Sequence, residues 1–233
     1  ALKADGLETP FASIRQTIRY LNLVEARESV AALGREIRDK GLPAGLVPFV
    51  CGFAGYGHVS LGAQEIFDLL PFEEVAPRDL EAFIRAGNYS AHRVYKVVFK
   101  EEDMVRPRDP AEGFDLQDYY KHPEKYEAAF ERYLPHLNIL VNGIYWAPQY
   151  PRFVTREALL RLYAPGATPR LRVVGDISCD VNGSLACTVK ATDPDHPIYV
   201  YDPVRDAALD GPEGRGPVVM AVYNLPAEIP LES

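Results

Sequence analysis

The stretch from Phe49 to Ala63, FVCGFAGYGHVSLGA, constrains this chain more than any other. It places four glycines within eleven residues, directly after an apolar run and directly before a helical pattern of apolar residues. This order predicts a buried strand, a tight turn and an amphipathic helix. Because glycine adopts positive φ angles and lets another backbone approach closely, the turn serves either a sharp reversal or contact with a ligand.

Apolar runs and helical patterns alternate along the rest of the 233-residue chain. Their spacing predicts helices within residues 1–40 and over 59–70, 79–86, 123–134 and 155–163. It predicts strands from residue 48 onward and over 72–75, 94–99, 139–146, 171–177, 198–201 and 218–222. The polar segment 100–121 is expected to be an irregular surface excursion.

This alternation of strands and helices predicts the fold class α/β. We expect a Rossmann-like, doubly wound, mostly parallel sheet with helices on both faces. Residues 1–40 are interpreted as a helical connector and residues 41–233 as a dinucleotide-binding domain. In a dinucleotide-binding turn, the first glycine permits the bend, the second lets the backbone approach the diphosphate, and the third lets helix and strand pack closely. The diphosphate then lies at the helix N-terminus, whose free N–H groups favour an anion.

The glycine turn fits this scheme in two of its three positions. Gly55 and Gly57 fit the first two glycines, and a serine stands at the third. We therefore predict that the turn and the start of the helix bind a cofactor through Gly55, Tyr56, Gly57, His58, Val59 and Ser60. The alternatives are a glycine-rich turn that only connects two elements, and an exposed loop histidine at position 58.

The choice between NAD(H) and NADP(H) depends on a residue about 20 positions beyond the turn. An acidic residue there would hold the ribose hydroxyls of NAD, whereas an arginine would suit the extra phosphate of NADP. Glu73 and Glu74 fall inside a predicted strand, and Arg78 follows it in a loop. Arg78 therefore favours NADP(H) and leaves NAD(H) possible, although an exposed arginine without a ligand would give the same pattern.

Charge and composition argue against several classes of partner. A net charge of −8 without a lysine or arginine cluster argues against nucleic acid, and no apolar run is long enough for a membrane span. The first residues show no charged segment followed by an apolar run, so secretion is not expected, and the three cysteines lack disulfide or zinc spacing. We predict buried thiols, a cytoplasmic or mitochondrial location rather than secretion, and, because the histidines lack ligand spacing, no metal site.

Several segments together are similar to one known family. They read GYGHVSLGAQEIFDLLPFEEVAPRDL, YYKHPEKY, LVNGIYWAPQYPRFVTREAL, GDISCDVNGSLACTVKATDPDHPIYVYDP and NLPAEIPLES, in this order along the chain. The chain resembles the lysine–2-oxoglutarate reductase portion of the aminoadipic semialdehyde synthase family, within the alanine dehydrogenase and transhydrogenase superfamily. The resemblance implies that an imine of L-lysine and 2-oxoglutarate is reduced by NADPH to saccharopine.

The resemblance also implies a division of labour. In this superfamily a separate N-terminal domain supplies most substrate-binding and acid–base groups, so these residues would be the cofactor-binding portion and inactive without that domain. The apolar surface that docks the domain would let the isolated piece form a homo-oligomer. The alternatives are a related amino-acid dehydrogenase and a stand-alone nucleotide-binding or regulatory module without turnover.

Candidate catalytic residues lie where predicted strands end, because the carboxyl ends of parallel strands face the ligand crevice. Asp176 and Asp180 resemble the two aspartates of the superfamily's DxxxD loop beside the nicotinamide, and Asn224 resembles the asparagine of its NLP turn. A carboxylate there could stabilise an iminium charge; its alternative role is turn chemistry ahead of a glycine. Further cofactor contacts are predicted for Asn142, Ile177, Asn224 and Leu225.

Overall fold

The computed structural model describes residues 8–225. Parts of the predicted connector, residues 1–7, and of the C-terminal segment NLPAEIPLES, residues 226–233, lie outside the described residues. The helices are α1 Leu23–Lys40, α2 His58–Phe67, α3 Leu80–Ala86, α4 Glu101–Met104, α5 Leu116–Lys121 and α6 Arg156–Leu162. The strands are β1 Val50–Ala54, β2 Phe72–Glu74, β3 Val94–Phe99, β4 Val105–Pro107, β5 Tyr126–Ala128, β6 Ile139–Asn142, β7 Val173–Asp176, β8 Ile198–Asp202, β9 Ala207–Asp210 and β10 Val218–Met220.

Eight of these strands form one sheet in the order β2-β3-β1-β6-β7-β10-β8-β9. The six strands from β2 to β10 in that order run parallel, and β8 and β9 complete the sheet in antiparallel pairing. The Rossmann-like, mostly parallel α/β fold is therefore confirmed. Helix α2 connects β1 to β2, which lies two places away, and β3 occupies the place between them.

The two faces of the sheet carry separate apolar cores. Alternate residues of β3 show this, because Val94 belongs to one core and its neighbour Tyr95 to the other. The smaller core contains Leu33 and Ile37 of α1. The larger core contains residues of α3 and α6 together with the buried aromatic residues of the segment before β6. Helices therefore cover both faces, as the sequence predicts.

The N-terminal region is helical only in part. Asn22 caps α1, with its Oδ1 accepting a hydrogen bond from the backbone N–H of Glu25 at 2.9 Å. Before α1, Pro10–Ser13 and Thr17–Arg19 form short 3₁₀ turns rather than the predicted continuous helix. Within residues 8–225, no helix is long and apolar enough to cross a membrane.

The segment between β3 and β6 departs most from the prediction. The helix predicted over 123–134 is wrong, because β5 pairs there with β4 and a 3₁₀ helix, Phe130–His136, follows. The apolar residues of this 3₁₀ helix are buried against the sheet, so their spacing reflects burial in an irregular backbone. Pro135, within the same segment, is unsuited to a regular α-helix. The surface excursion predicted over 100–121 is also wrong in part, since Met104 and Tyr119 are buried there.

A buried lysine attaches the edge strand β2 to the sheet. Lys96 is 5% exposed and lies on β3. Its ammonium donates to Asp68 Oδ1 at 2.8 Å, lies 3.8 Å from Glu74 Oε2, and lies 4.4 Å from the centroid of the Phe72 ring. These contacts join β3 to the end of α2 and to β2, so the outer position of β2 is specified by side chains as well as by backbone pairing.

Candidate functional site

The glycine turn begins where β1 ends between its two neighbours. Ala54 is level with Phe99 of β3 on one side and with Asn142 of β6 on the other. The Gly55 N–H donates to Phe99 O at 3.0 Å, and the Gly143 N–H donates to Ala54 O at 3.1 Å. From β1 the chain first extends the sheet towards β3 and later towards β6, so this is the switch point where open α/β sheets bind ligands.

The first two glycines of the turn have different physical roles. Gly55 has a φ of +97°, and a Cβ there would lie 2.9 Å from Cγ2 of Ile144. Gly57 has a φ of −76°, and a Cβ there would have no non-neighbouring heavy atom of the described residues within 4 Å. The fold therefore requires glycine at position 55 but not at position 57. At position 57, the N-cap of α2, glycine keeps the space before the helix open.

The start of α2 offers hydrogen-bond donors to that open space. The first N–H groups of a helix have no partner within the helix, and the N-cap of α2, Gly57, has no side chain that could cap them. His58 and Val59 are exposed in this first turn. Ser60 is fully buried instead, with its Oγ accepting from Gln64 Nε2 at 3.0 Å. Its backbone N lies 3.3 Å from where a Cβ at Gly143 would stand, so Ser60 lies at a close helix–loop contact.

A cleft of about 410 Å³ opens beside the turn. It is lined by Gly55, Tyr56, Gly57, Glu101, Met104, Tyr119, Tyr120, Gly143, Ile144, Tyr145, Tyr150 and Phe153. Five of these twelve residues are tyrosines, which provide flat apolar surfaces with polar tips. Such a surface suits a planar ring that also carries hydrogen-bonding groups.

One carboxylate lies among the tyrosines of the cleft. Glu101 Oε1 accepts a hydrogen bond from the Tyr120 hydroxyl at 2.7 Å. The negative charge of Glu101, together with burial, raises the pKa of Tyr56 above its ordinary value. Burial and the same hydrogen bond raise the pKa of Tyr120. Both tyrosines therefore stay protonated at neutral pH and can donate hydrogen bonds.

A buried polar cluster lies on the other side of β1, at the ends of β6 and β7. Asp176 is 1% exposed and accepts hydrogen bonds from three neutral donors. Asn142 Nδ2 lies 2.9 Å from its Oδ1, Ser178 Oγ lies 2.7 Å from the same oxygen, and Thr188 Oγ1 donates to Oδ2. No ion pair to Asp176 occurs among residues 8–225. The carboxylate therefore organises the ends of two neighbouring strands.

Asn142 leaves one polar atom of this cluster without a partner. Its amide nitrogen also lies 3.2 Å from Ser178 Oγ and 3.1 Å from Ser184 Oγ. Its Oδ1 is buried and accepts no hydrogen bond from the described part of the chain. An unsatisfied buried oxygen costs free energy. A donor from a bound ligand or from water would satisfy it.

The other residues predicted near the reacting centre lie around this cluster. The Ile177 N–H donates to Asn142 O at 2.9 Å, and Cys179 Sγ lies 3.2 Å from Val222 O. The loop that carries Asp180 therefore touches the segment that leads into Asn224, which is exposed, and Leu225, which is half-buried. Asn142, Asp176 and Ile177 are brought together. No hydrogen bond or ion pair joins Asn224 or Leu225 to them in the described residues.

Arg78 lies away from the turn, beyond the edge strand. Its side chain is 87% exposed, and its Nε is 3.7 Å from Asp79 Oδ2. Glu101, Tyr119 and Tyr120 line the cleft but were not predicted as site residues, because they lie in the segment interpreted as a surface excursion. The adjacent tyrosines in that otherwise polar segment were the available signal. Within residues 8–225, no three His, Cys, Asp or Glu side chains cluster closely enough to hold a metal ion.

The carboxyl of Asp180 is expected to make the stability of the fold depend on pH. Burial and the negative charge of Asp176 raise its pKa, against a hydrogen bond from Ser178 that lowers it. A carboxyl with a raised native pKa binds its proton more tightly in the folded state, so it costs stability as pH rises through that pKa. We therefore expect Asp180→Asn to gain stability relative to the original chain as the pH rises from the ordinary pKa range of an aspartate to above the raised native pKa.

Urea unfolding at several pH values would measure this difference. NMR titration of the Asp180 carboxyl would give its midpoint directly, and we expect that midpoint above the ordinary range of aspartate. A stability difference that does not change with pH would contradict the prediction.

Comparison with known proteins finds related sequences, whereas no family model matches the chain. The chain is 39% identical to an alpha-aminoadipic semialdehyde synthase of Arabidopsis thaliana over 98% of its own length and 22% of that protein. It is 35% identical to the mitochondrial alpha-aminoadipic semialdehyde synthase of Bos taurus and 32% identical to that of Mus musculus, in each case over 100% of its length and 26% of theirs. The chain thus spans about a quarter of the length of these relatives.

Proposed function

The chain is a homologue of one segment of the alpha-aminoadipic semialdehyde synthases, and from this relationship we propose that it is the cofactor-binding portion of an oxidoreductase of lysine metabolism. The reaction would be reduction of the imine of L-lysine and 2-oxoglutarate to saccharopine, with NADP(H) as the favoured cofactor. The observation that carries the proposal is the glycine turn at the switch point, where Gly57 is not required by the fold and faces open space.

The residues of the site fit a dinucleotide in three parts. The open backbone at Gly57 and the uncapped start of α2 would hold the diphosphate. The tyrosine-lined cleft would hold the adenosine half, and the ends of β6 and β7 would face the nicotinamide half. NADPH, when bound, would supply the hydride that reduces the imine carbon.

The polar cluster would orient the nicotinamide half through Asn142. Asp176 fixes the Asn142 amide by accepting from its nitrogen, which leaves the amide oxygen free to accept a hydrogen bond from a ligand. Asp180 is less buried than Asp176 and carries a carboxyl that could face the positive charge of an iminium or of a lysine ammonium. Asn224, which is exposed, would contact the ligand from the neighbouring segment.

The substrates would need groups from a separate domain. 2-Oxoglutarate carries two carboxylates, and the end of β7 presents Asp176 and Asp180, which would repel them. Asp176 has only neutral donors around it in the described residues. We therefore propose that cations for 2-oxoglutarate come from another domain, such as the N-terminal substrate domain that the resemblance implies. Because two relatives are named mitochondrial, the mitochondrial matrix is the location we favour over the cytoplasm.

The proposed function predicts that NADPH binds to this chain and changes the fluorescence of its only tryptophan, Trp146. Trp146 is half-buried in the loop after β6, between cleft residues Tyr145 and Tyr150, and its Nε1 donates to Pro151 O at 3.2 Å. Bound NADPH should quench the tryptophan emission and gain energy-transfer emission of its own. We expect saturable binding of NADPH and weaker binding of NADH.

Lysine and 2-oxoglutarate should produce no NADPH oxidation with this chain alone, because the proposed substrate groups lie elsewhere. Failure of both dinucleotides to bind would contradict the proposed function. Binding with rapid turnover would keep the cofactor assignment and contradict the separate substrate domain. A module without turnover remains the second candidate, and adding the N-terminal substrate domain that the resemblance implies, as a separate chain, would distinguish it from the enzyme.

A further inference from the structure

We propose that Lys100 is the residue by which this chain recognises the 2′-phosphate of NADPH, an assignment that rests on the proposed cofactor-binding function. The strand order determines which residue lies near the adenosine ribose. In dinucleotide-binding sheets, the residue that contacts the adenosine ribose follows the strand next to the glycine-turn strand. Here that neighbour of β1 is β3 rather than β2, although β2 comes first in sequence.

The strand ends lie at different levels of the sheet. Ala54, the last residue of β1, is level with Phe99, and Phe99 O accepts the hydrogen bond from the Gly55 N–H. Lys100 therefore follows directly at the level of the turn. In contrast, Glu74, the last residue of β2, is level with Lys96. Lys96 precedes Phe99 by three residues, so β2 ends about 10 Å short of the level of the turn.

Arg78 is consequently in a poorer position than its distance in sequence suggests. It follows a strand that ends below the turn and lies one strand farther from β1, about 5 Å across the sheet. Its Nε already lies near a carboxylate, that of Asp79. The separation of about 20 residues that favours Arg78 assumes that the second strand in sequence pairs with the first, and here it does not.

The Lys100 side chain lies near the turn, where its ammonium faces the ring of Tyr56. It is exposed, and its Nζ lies 5.9 Å from the centroid of the Tyr56 ring, between the two glycines. No carboxylate of residues 8–225 lies within 4.0 Å of Nζ. Lys100 directly precedes the cleft residue Glu101, and a lysine without an ion pair in residues 8–225 offers the point charge that a phosphate dianion needs.

The acidic residues after Lys100 do not neutralise this charge by contact. Asp103 Oδ2 accepts from the backbone N–H of Lys100 at 2.9 Å, and Glu101 accepts from Tyr120. Glu101 is nevertheless the competing candidate, since a carboxylate in the cleft could hold the ribose hydroxyls of NADH. The two residues therefore predict opposite preferences, which binding measurements can separate.

The test is calorimetric binding of two matched ligand pairs to the 233-residue chain. NADPH and NADH differ by the 2′-phosphate, as do adenosine 2′,5′-bisphosphate and adenosine 5′-monophosphate, which lack the nicotinamide half. We expect Lys100→Met to weaken NADPH and the bisphosphate about 10- to 100-fold and to leave NADH and the monophosphate within about twofold. Arg78→Met, the matched control, should leave all four within about twofold, and Lys100→Arg should retain the preference.

The outcomes distinguish the assignment from the proposed function. If the original chain binds neither dinucleotide, the proposed function fails and Lys100 fails with it. If it binds NADPH but Lys100→Met weakens both members of each pair equally, or Arg78→Met weakens only the phosphorylated ones, only the Lys100 assignment is overturned. A preference for NADH that Glu101→Gln removes would also overturn it and would assign the ribose contact to Glu101.

Discussion

Gly57→Val should abolish dinucleotide binding while leaving the fold intact. A Cβ at position 57 meets no non-neighbouring heavy atom of residues 8–225 within 4 Å, and a φ of −76° is ordinary for valine, so we expect the free energy of unfolding to change by about 1 kcal/mol or less. The same side chain would fill the space through which a diphosphate must approach the start of α2. We expect NADPH affinity to fall more than about 100-fold, because both the contact and the helix N–H donors are lost.

The matched variant is Gly55→Ala, two residues earlier. Its φ of +97° and its 2.9 Å approach to Ile144 should make this smaller substitution destabilising by about 1–3 kcal/mol. Thermal unfolding and the tryptophan titration would be measured on both variants. Unchanged NADPH binding in Gly57→Val would show that the ligand does not approach the turn, and unfolding of that variant would show that the glycine is structural.

Asp176→Ala should be the most destabilising substitution in the polar cluster. It removes the acceptor of hydrogen bonds from Asn142, Ser178 and Thr188, and the buried donors left behind each cost free energy. We expect a loss of about 3 kcal/mol in the free energy of unfolding, measured in urea at neutral pH. A loss below about 1 kcal/mol would mean that water replaces the carboxylate and that the cluster is not a structural unit.

Asp176→Asn separates the structural role from a role of the charge. The amide keeps one acceptor and the shape, and the free Oδ1 of Asn142 could accept from its new nitrogen if the Asn142 amide turned over. We expect this variant to remain folded and to lose less stability than Asp176→Ala. If it also binds NADPH as tightly, Asp176 acts by positioning its neighbours; if affinity falls while stability holds, its negative charge matters for the ligand.

The sequence was sufficient to predict the fold class because the strongest strands carry unambiguous patterns. β3 is found over the residues predicted, and β1 and α2 flank the glycine turn as expected. The helix predicted after Pro123 failed because its apolar spacing matches both a helix and an irregular segment buried on one side. Local sequence patterns could not predict the strand order, since β3 pairs with β1 through residues more than 40 positions apart.

The site could be predicted only where local geometry decides it. Gly55 and Gly57 follow from the strand–turn–helix pattern, and the structure adds that only one of them is required by the backbone. The adjacent tyrosines hint at a buried surface, but local patterns could not place Glu101 and Tyr120 at the turn, because they reach it through the placement of the segment after β3. Likewise, the level at which a strand ends relative to its neighbour, which distinguishes Lys100 from Arg78, is a property of sheet register.

The outer strands of the sheet also bear on how the protein avoids aggregation. β2 and β9, which form its two edges, contain only three and four residues. They carry Glu73, Glu74 and Asp210, and the side chain of Glu73 is held by Arg93 at 2.7 Å. Short edges that present charge are poor templates for a strand of another chain. Lys96 holds the acidic strand β2 against β3, so β2 covers the backbone of β3. Without β2, β3 would form a longer and more apolar edge that is open to intermolecular pairing.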